Sequence, residues 1–445
     1  MRILFLTQII PYPPDSGPKV KTWHVLRYLA ERGHQVHLAS FIRPEEESHV
    51  DALRQICVEV QTIPIRRSRI ADAGYYLRSF LRGRPFLIER DDLAAMRRCI
   101  QQSTHSVDFD YIHTDQLSMA QFALPAPRIF SEEVYRLERS KETLVREHGW
   151  RPKLIFDAHN AVWTIVERMG QNLPWYLQPL VKEEALRVKR YEGMLVQVFD
   201  HTLAVTEIDR QLLLQARQTY LNSLSNGSGL RGSSESEIPN PINVIPIAVD
   251  TQVLKPVSRK PGSINILTLG TLHYPPNADG IRWFANKVFP LIVSQEPGAT
   301  LSIVGKNPPQ DLRDLAKNSP DRFNVTGYVP DLLPYFEQSA AVVVPVRAGS
   351  GMRVRILEAF AQSMPVVTTT VGLEGIDATP GEDVLVADSP EDFASAVVRI
   401  LRDPLLQAKL AANGRRLAES HYDWKVVLQK MDQIYAIEES QRNQE

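Results

Sequence analysis

The sequence predicts an α/β protein of two domains, each a parallel sheet with helices on both faces. Three observations predict it. The chain has 445 residues, more than one ordinary core accommodates at roughly 100–200 residues per domain. It opens with a buried strand, a proline-rich loop, an amphipathic helix and a second strand, which together make a βαβ unit. A second strand–turn–helix series starts near residue 264, with no repetition at the level of individual residues. Hydrophobic residues make up 43% and charged residues 23%, the balance of a soluble globular protein. Lys+Arg 51 against Asp+Glu 52 leaves a formal charge of −1, which excludes a protein built to coat nucleic acid.

In the first half, residues 2–7 form an apolar strand, 11–19 a loop containing Gly17, 21–32 a helix ended by Gly33, and 35–41 the next strand. Gly17 therefore falls at the carboxyl end of the first strand, where ligands sit in doubly wound sheets. Residues 51–60 read as a helix running into a strand. The stretch 63–90 carries Arg66, Arg67, Arg69, Arg78, Arg82, Arg84 and Arg90 among Tyr75, Tyr76, Phe80 and Phe86. Such a stretch is expected either as a solvated helix face or as a contact with an anionic membrane. Two further strands end in polar residues, Asp115 after 110–114 and Asp157-Ala158-His159-Asn160 after 153–156. Polar groups at two strand ends of one sheet converge on one rim. A surface helix is expected at 134–149, a long helix at 178–195, a strand at 201–205 and a helix from about 207. Residues 220–239, rich in Ser, Gly and Asn, read as a low-complexity insertion. A strand at 242–249 and a proline-containing linker at 251–262 close this half.

The second half reads as strand 264–270, helix 279–289, strand 300–305, helix 309–317, strand 324–328 and short helix 332–337, then strands 340–345 and 365–370 and three closing helices. Between those last two strands lies Gly349-Ser350-Gly351-Met352-Arg353-Val354-Arg355-Ile356-Leu357-Glu358. Glycines where a strand passes into a helix form an anion site, because helix-start N–H groups face outward and small residues admit a phosphate. Arg353 and Arg355 add positive charge, and Glu358, one turn on, is placed to accept hydrogen bonds from sugar hydroxyls. The stretch predicts a nucleotide-sugar site. Cys57 and Cys99 stand outside any CxxC spacing, which fits a reducing compartment and gives no metal or redox site. The opening apolar run at 3–10 is broken by Thr7 and Gln8 and followed by prolines, unlike a signal peptide, and no run approaches the roughly 20 apolar residues of a membrane span. The expected location is the cytoplasm, with the arginine stretch allowing contact at the inner face of the membrane.

Taken together, these residues resemble the retaining glycosyltransferases of family 4, especially bacterial members that build exopolysaccharide or other surface glycans. The resemblance rests on 11–17 followed by Leu29-Ala30-Glu31-Arg32-Gly33-His34, on Phe156-Asp157-Ala158-His159-Asn160, on Ile245-Pro246-Ile247-Ala248-Val249-Asp250, on Val304-Gly305, on Thr326-Gly327-Tyr328-Val329-Pro330-Asp331 and on 349–367. It implies the GT-B fold, two Rossmann-like domains with parallel sheets facing across a cleft. Residues 1–250 would bind the acceptor, 251–262 link the domains, 263–420 bind the donor, and 421–445 return to the first domain. The implied activity is metal-independent transfer of a hexose from a UDP- or GDP-sugar to a glycan or lipid-linked acceptor, with no other cofactor.

By the same resemblance the donor would meet Gly17, Gly270, Thr271, Asn277, Tyr328, Gly349, Ser350, Gly351, Met352, Arg353, Arg355 and Glu358. His159 would contact the donor sugar or acceptor, and Asp115 is the candidate to take the acceptor proton. Two departures from the family pattern stand out. Ser350 replaces the first of two acids expected eight residues apart, leaving Glu358 to hold the ribose. Thr271 and Asn277 replace an Arg and a Lys, so the diphosphate charge falls to Arg353 and Arg355, with Lys306 a weaker candidate. The lone Asp-x-Asp, Asp108-Phe109-Asp110, precedes a strand at its amino end, away from a metal–diphosphate bridge. Competing readings are a sugar-nucleotide epimerase on the same fold and an inactive nucleotide-sugar-binding protein. No lysine stands out for the pyridoxal phosphate of a glycan phosphorylase.

Overall fold

The structure, a computed structural model, describes residues 1–124, 151–171, 173–228, 240–349 and 351–435. The helix expected at 134–149, the later part of the expected 220–239 insertion, and Ser350 lie outside the described residues. The described chain divides into two compact units, Met1–Ile245 with the segment from Lys430, and Pro246–Gln429.

The first unit holds β1 (Arg2–Thr7), β2 (Gln35–Ile42), β3 (Glu59–Pro64), β4 (Tyr111–Asp115), β5 (Lys153–Asp157), β6 (His201–Ala204) and β7 (Ile242–Val244). They pair in the order β3-β2-β1-β4-β5-β6-β7, all parallel. Parallel strands are covered on both faces, which is why Ile3–Leu6 is a continuous buried apolar run rather than an alternating one. Helix Gly17–Glu31 buries Val20, Val25, Leu26 and Leu29. Helix Gln178–Val198 packs on helix Glu207–Ser228 through Val188, Tyr191, Leu195, Leu213 and Tyr220. That second helix continues to Ser228, past the start of the expected insertion, because Tyr220 is buried and Leu221 and Leu224 pack on the core. The strand expected at 242–249 ends at Val244. The closing segment Lys430–Tyr435 docks on this unit: Asp432 accepts hydrogen bonds from the Tyr28 hydroxyl at 3.0 Å and Arg32 at 2.7 Å.

The second unit holds β8 (Asn265–Leu269), β9 (Thr300–Val304), β10 (Phe323–Thr326), β11 (Ser339–Val344), β12 (Val366–Thr368) and β13 (Leu385–Val386). Their order is β10-β9-β8-β11-β12-β13, again parallel. Its core includes Phe284, Phe289, Ile303, Val343, Val367, Phe393 and Val397. The expected 279–289 helix begins earlier, as Pro275–Trp283, continues through a wide turn and resumes as Phe289–Gln295.

Both sheets reverse their winding in the same way. The chain runs outward from β1 through β2 and β3, then returns to the other side of β1 with β4; β8 through β11 repeats this. The crevices at β1/β4 and β8/β11 are topological switch points, where an open α/β sheet binds its ligands at the carboxyl ends of strands. Both predicted clusters fall there.

Candidate active site

In the first unit, Thr7 and Asp115 are register partners at the ends of β1 and β4. The Thr7 hydroxyl donates to Asp115 Oδ2 at 2.8 Å, and the Thr22 hydroxyl, from helix Gly17–Glu31, lies 3.1 and 3.0 Å from the two oxygens. His159 Nε2 completes the set 2.6 Å from Asp115 Oδ1. The two sequence-predicted residues are therefore in contact, both buried. Asp115 is saturated by two hydroxyls and an imidazole, which makes it an orienting group for the ring. His159 Nδ1 is buried with no hydrogen-bond partner among the described residues.

One strand-end away, Asp157 is wholly buried and ion-paired with Lys21, whose side chain is only 1% exposed. His113 Nε2 lies 3.5 Å from the other Asp157 oxygen, and its Nδ1 sits 2.6 Å from the Tyr435 hydroxyl. The His113 ring stacks on Phe5 with centroids 4.3 Å apart. Burial opposes ionisation of Asp157, but the Lys21 ammonium, helped by His113 and His159, outweighs it and holds the carboxyl well below the usual range. Lys21, His113 and Tyr435 were not singled out from the sequence, where a lysine early in an amphipathic helix looks solvated. Asp115, Asp157 and His159 bring one ligand atom each within 4.8 Å of one another, a spacing a metal ion could use. Here Lys21 already supplies the positive charge, and the Asp115 oxygens are taken by hydroxyls and the ring. Asp110, in the Asp-x-Asp, accepts the Arg2 N–H at 2.7 Å at the opposite, amino edge of the sheet.

Gly17 opens helix Gly17–Glu31, with Ser16 extended at its N-cap and Pro18 next. The remaining predicted residues belong to the second unit. Gly349 and Gly351 have φ of +123° and +86°, values that disfavour any residue with a Cβ, so glycine is needed for the chain to turn from β11 into helix Val354–Ala361. A Cβ on Gly280 would collide with the Pro345 carbonyl; its absence lets helix Pro275–Trp283 press against the end of β11. Arg353 folds back over the turn, Nη1 donating to the Gly351 carbonyl at 2.9 Å, while Met352 is buried. On the next turn Arg355 Nη1 donates to Glu358 Oε2 at 2.6 Å. Arg355 is thus engaged with the very carboxylate assigned to the ribose, and Arg353 is the cation placed on the loop itself. Across the switch point, Gly270 and Thr271 follow β8, and Asn277 Nδ2 donates to the Thr271 carbonyl at 3.4 Å. Lys306, after β9, lies over the Tyr328 ring, 4.8 Å from its centroid. The loop after β11, the residues that follow β8 and the Lys306–Tyr328 pair thus lie at the carboxyl ends of one sheet's strands.

Five of the seven arginines at 66–90 pair with acids: Arg78, Arg82 and Arg84 converge on Glu89, Arg67 and Arg90 on Asp91, and Arg84 also on Asp92. Beside the exposed Arg66 and Arg69, helix Arg69–Arg82 also presents apolar side chains to solvent: Ile70 is 87% and Leu81 75% exposed.

Two parallel, doubly wound sheets with sites at their switch points define the GT-B architecture. Residues 263–403, which include the loop at 349–353 and Glu358, match the family described as glycosyl transferases group 1. A Klebsiella pneumoniae relative, described as an uncharacterized 44.6 kDa protein in cps region, is 25% identical over 170 residues, 37% of this chain and 44% of that protein. The phosphatidyl-myo-inositol mannosyltransferase of Mycolicibacterium smegmatis is 26% identical over 208 residues, 46% of this chain and 52% of the relative. The chain spans about half the length of these curated relatives. Among solved structures, Anabaena HepE in complex with UDP aligns with a TM-score of 0.62 at 14% identity, over 98% of this chain and 100% of that one.

Proposed function

We propose that the protein is a retaining, metal-independent glycosyltransferase that moves a sugar from a nucleoside-diphosphate donor to a surface-glycan or lipid-linked acceptor. The observation that carries this reading is the Gly349–Arg353 turn at the β8/β11 switch point, followed by Glu358, inside the segment matched by the group 1 family. Arg353 and the helix-start N–H groups neutralise the departing diphosphate, and Glu358 accepts the ribose hydroxyls once Arg355 shares it. The Lys306–Tyr328 pair offers the base a stacking face. The relatives support the class of chemistry: one is named a mannosyltransferase, another lies in a cps region, and HepE holds UDP.

On the acceptor side, His159 Nδ1 is the ring edge that meets a sugar or acceptor hydroxyl, while Asp115 holds the ring through Nε2. No carboxylate of this cluster stands free as a nucleophile: Asp115 and Asp157 are both engaged. That favours attack and departure on the same face of the sugar over a covalent glycosyl-enzyme. Lys21 in place of a cation favours metal independence. The test is product analysis with a nucleotide sugar, with and without a polyprenyl-phosphate-linked sugar acceptor, in chelator. The expected result is a glycosylated acceptor with retained anomeric configuration. A new sugar nucleotide formed without acceptor would instead identify an epimerase.

With a lipid-linked acceptor the protein would work at the inner face of the cytoplasmic membrane. No helix among the described residues is long and apolar enough to cross a bilayer. The contact runs through the outward apolar residues Ile70, Leu77 and Leu81, with exposed Trp175 and Tyr176 as interfacial anchors. Because five of the seven arginines already pair with Glu89, Asp91 and Asp92, cosedimentation with phosphatidylglycerol vesicles should persist in 0.5 M salt, taken as roughly a 4 Å screening length, and be lost in Leu77→Asp/Leu81→Asp. Binding abolished by salt and indifferent to those changes would contradict it.

A further inference from the structure

Two buried carboxylates that the proposed chemistry does not use sit behind the His159 loop. Glu192, in helix Gln178–Val198, has no solvent exposure. Its Oε1 accepts the Val162 N–H at 2.7 Å and its Oε2 the Trp163 N–H at 3.0 Å. Asp209, at the third position of helix Glu207–Ser228, accepts the Ala161 N–H at 3.3 Å through Oδ1 and the Thr206 hydroxyl at 2.6 Å through Oδ2. Three successive N–H groups at the start of helix Val162–Gln171 are therefore held by side chains from two other helices. A helix start leaves such donors without intrahelical partners, and here the partners come from 30 and 48 residues away. The arrangement is a tertiary cap, and the loop it fixes is Ala158-His159-Asn160.

We propose that Glu192 and Asp209 are the positioning residues of the His159 loop, holding the backbone of residues 161–163 so that the imidazole stays against Asp115. The inference rests on the reading of His159 as a working group of a glycosyltransferase. Its geometry explains why a buried acid should be retained between two helices: both oxygens are needed, one per N–H. Protonation leaves a hydroxyl that faces an N–H as a poor acceptor, so one of the two bonds weakens and the loop loosens. The charged group that acts on Glu192 is Asp209, from the facing helix; Lys189, on the same helix as Glu192, places its ammonium 3.8 Å from the centroid of the Trp163 ring. Burial, with Asp209 adding to it, pushes the Glu192 carboxyl up to about 8 against the pull of the two backbone N–H groups. The ionised, loop-holding form thus fills as pH rises through about 8.

The experiment compares full-length wild type with Glu192→Gln in sugar transfer from pH 7 to 9. Glutamine keeps the volume but turns an NH2 toward one of the two N–H donors. Wild-type kcat should rise with pH through about 8; Glu192→Gln should show at least a tenfold lower kcat at pH 9, no such rise, and an unchanged donor KM. A Glu192→Gln enzyme with wild-type kcat and the same pH limb would overturn the proposal, as would equal losses in kcat and donor affinity. A second measurement stands without activity or the variant: NMR of wild-type protein labelled at histidine, with the His159 ring assigned through His159→Gln. The His159 signals should shift with a midpoint near pH 8, and an unchanged ring between pH 7 and 9 would overturn the proposal. If wild type transfers no sugar from any donor, the functional reading fails while this titration still decides the role of Glu192.

Discussion

Lys21→Met is expected to destabilise the first unit by about 3–5 kcal/mol, the usual cost of removing one partner of a buried ion pair. Lys21 and Asp157 are 1% and 0% exposed, so the remaining carboxylate cannot recover its lost hydration. It must bind a proton or draw in water, and either disturbs β5 at the residue two before His159. Replacing both members of a buried ion pair by apolar residues is often neutral or stabilising, so Lys21→Met/Asp157→Leu should recover most of the loss. Urea unfolding followed by circular dichroism checks both; a single-variant loss below about 1 kcal/mol, the range of an exposed pair, would mean the pair is solvated. The sign with pH is fixed by the direction of the shift. Asp157 is held below its unfolded value, so its stabilisation is present above about pH 4 and lost as pH falls below that value. In Lys21→Met the main group holding it down is gone, and this acid limb should flatten.

The second large effect concerns the donor rim. Arg353→Ala and Glu358→Ala are each expected to weaken nucleotide-sugar binding by about ten- to hundredfold, the equivalent of one or two charge-assisted hydrogen bonds at roughly 1.5–3 kcal/mol. Arg353 is the more sensitive position because Thr271 and Asn277, which follow β8, carry no charge, and Asn277 is turned onto the Thr271 carbonyl. Arg355→Ala should cost less, since Arg355 donates to Glu358 and its loss leaves that carboxylate to the ribose.

Much of this was legible in the sequence because strand periodicity and loop position carry it. Arg2–Thr7 and Tyr111–Asp115 are apolar runs that end in polar residues, and parallel pairing leaves those ends on one edge, so Asp115 and His159 meet at 2.6 Å. The glycines at 349 and 351 announced a turn that the positive φ values bear out. What the sequence hid depends on tertiary placement. Lys21 lies on a helix face that a polar residue would normally give to water, and only the neighbouring strand end shows why it is buried. Glu192 and Asp209 reach a loop 30 and 48 residues earlier in the chain, beyond the range of any capping pattern. The arginines at 66–90 read as a cationic surface because Glu89, Asp91 and Asp92, which collect them, lie in the next helix and its C-cap.

The turn through Gly349 and Gly351 and the helix carrying Glu358 are expected to hold a nucleotide sugar. Isothermal titration of UDP and GDP, and of their sugars, into full-length wild type, Arg353→Ala and Glu358→Ala measures this, with the thermal midpoint of each ligand-free protein as a control for folding. Wild type should bind one nucleotide class, both variants should bind it at least tenfold more weakly, and all three should unfold at similar temperatures. Unchanged affinity in both variants, or no binding of either class by wild type, would contradict it.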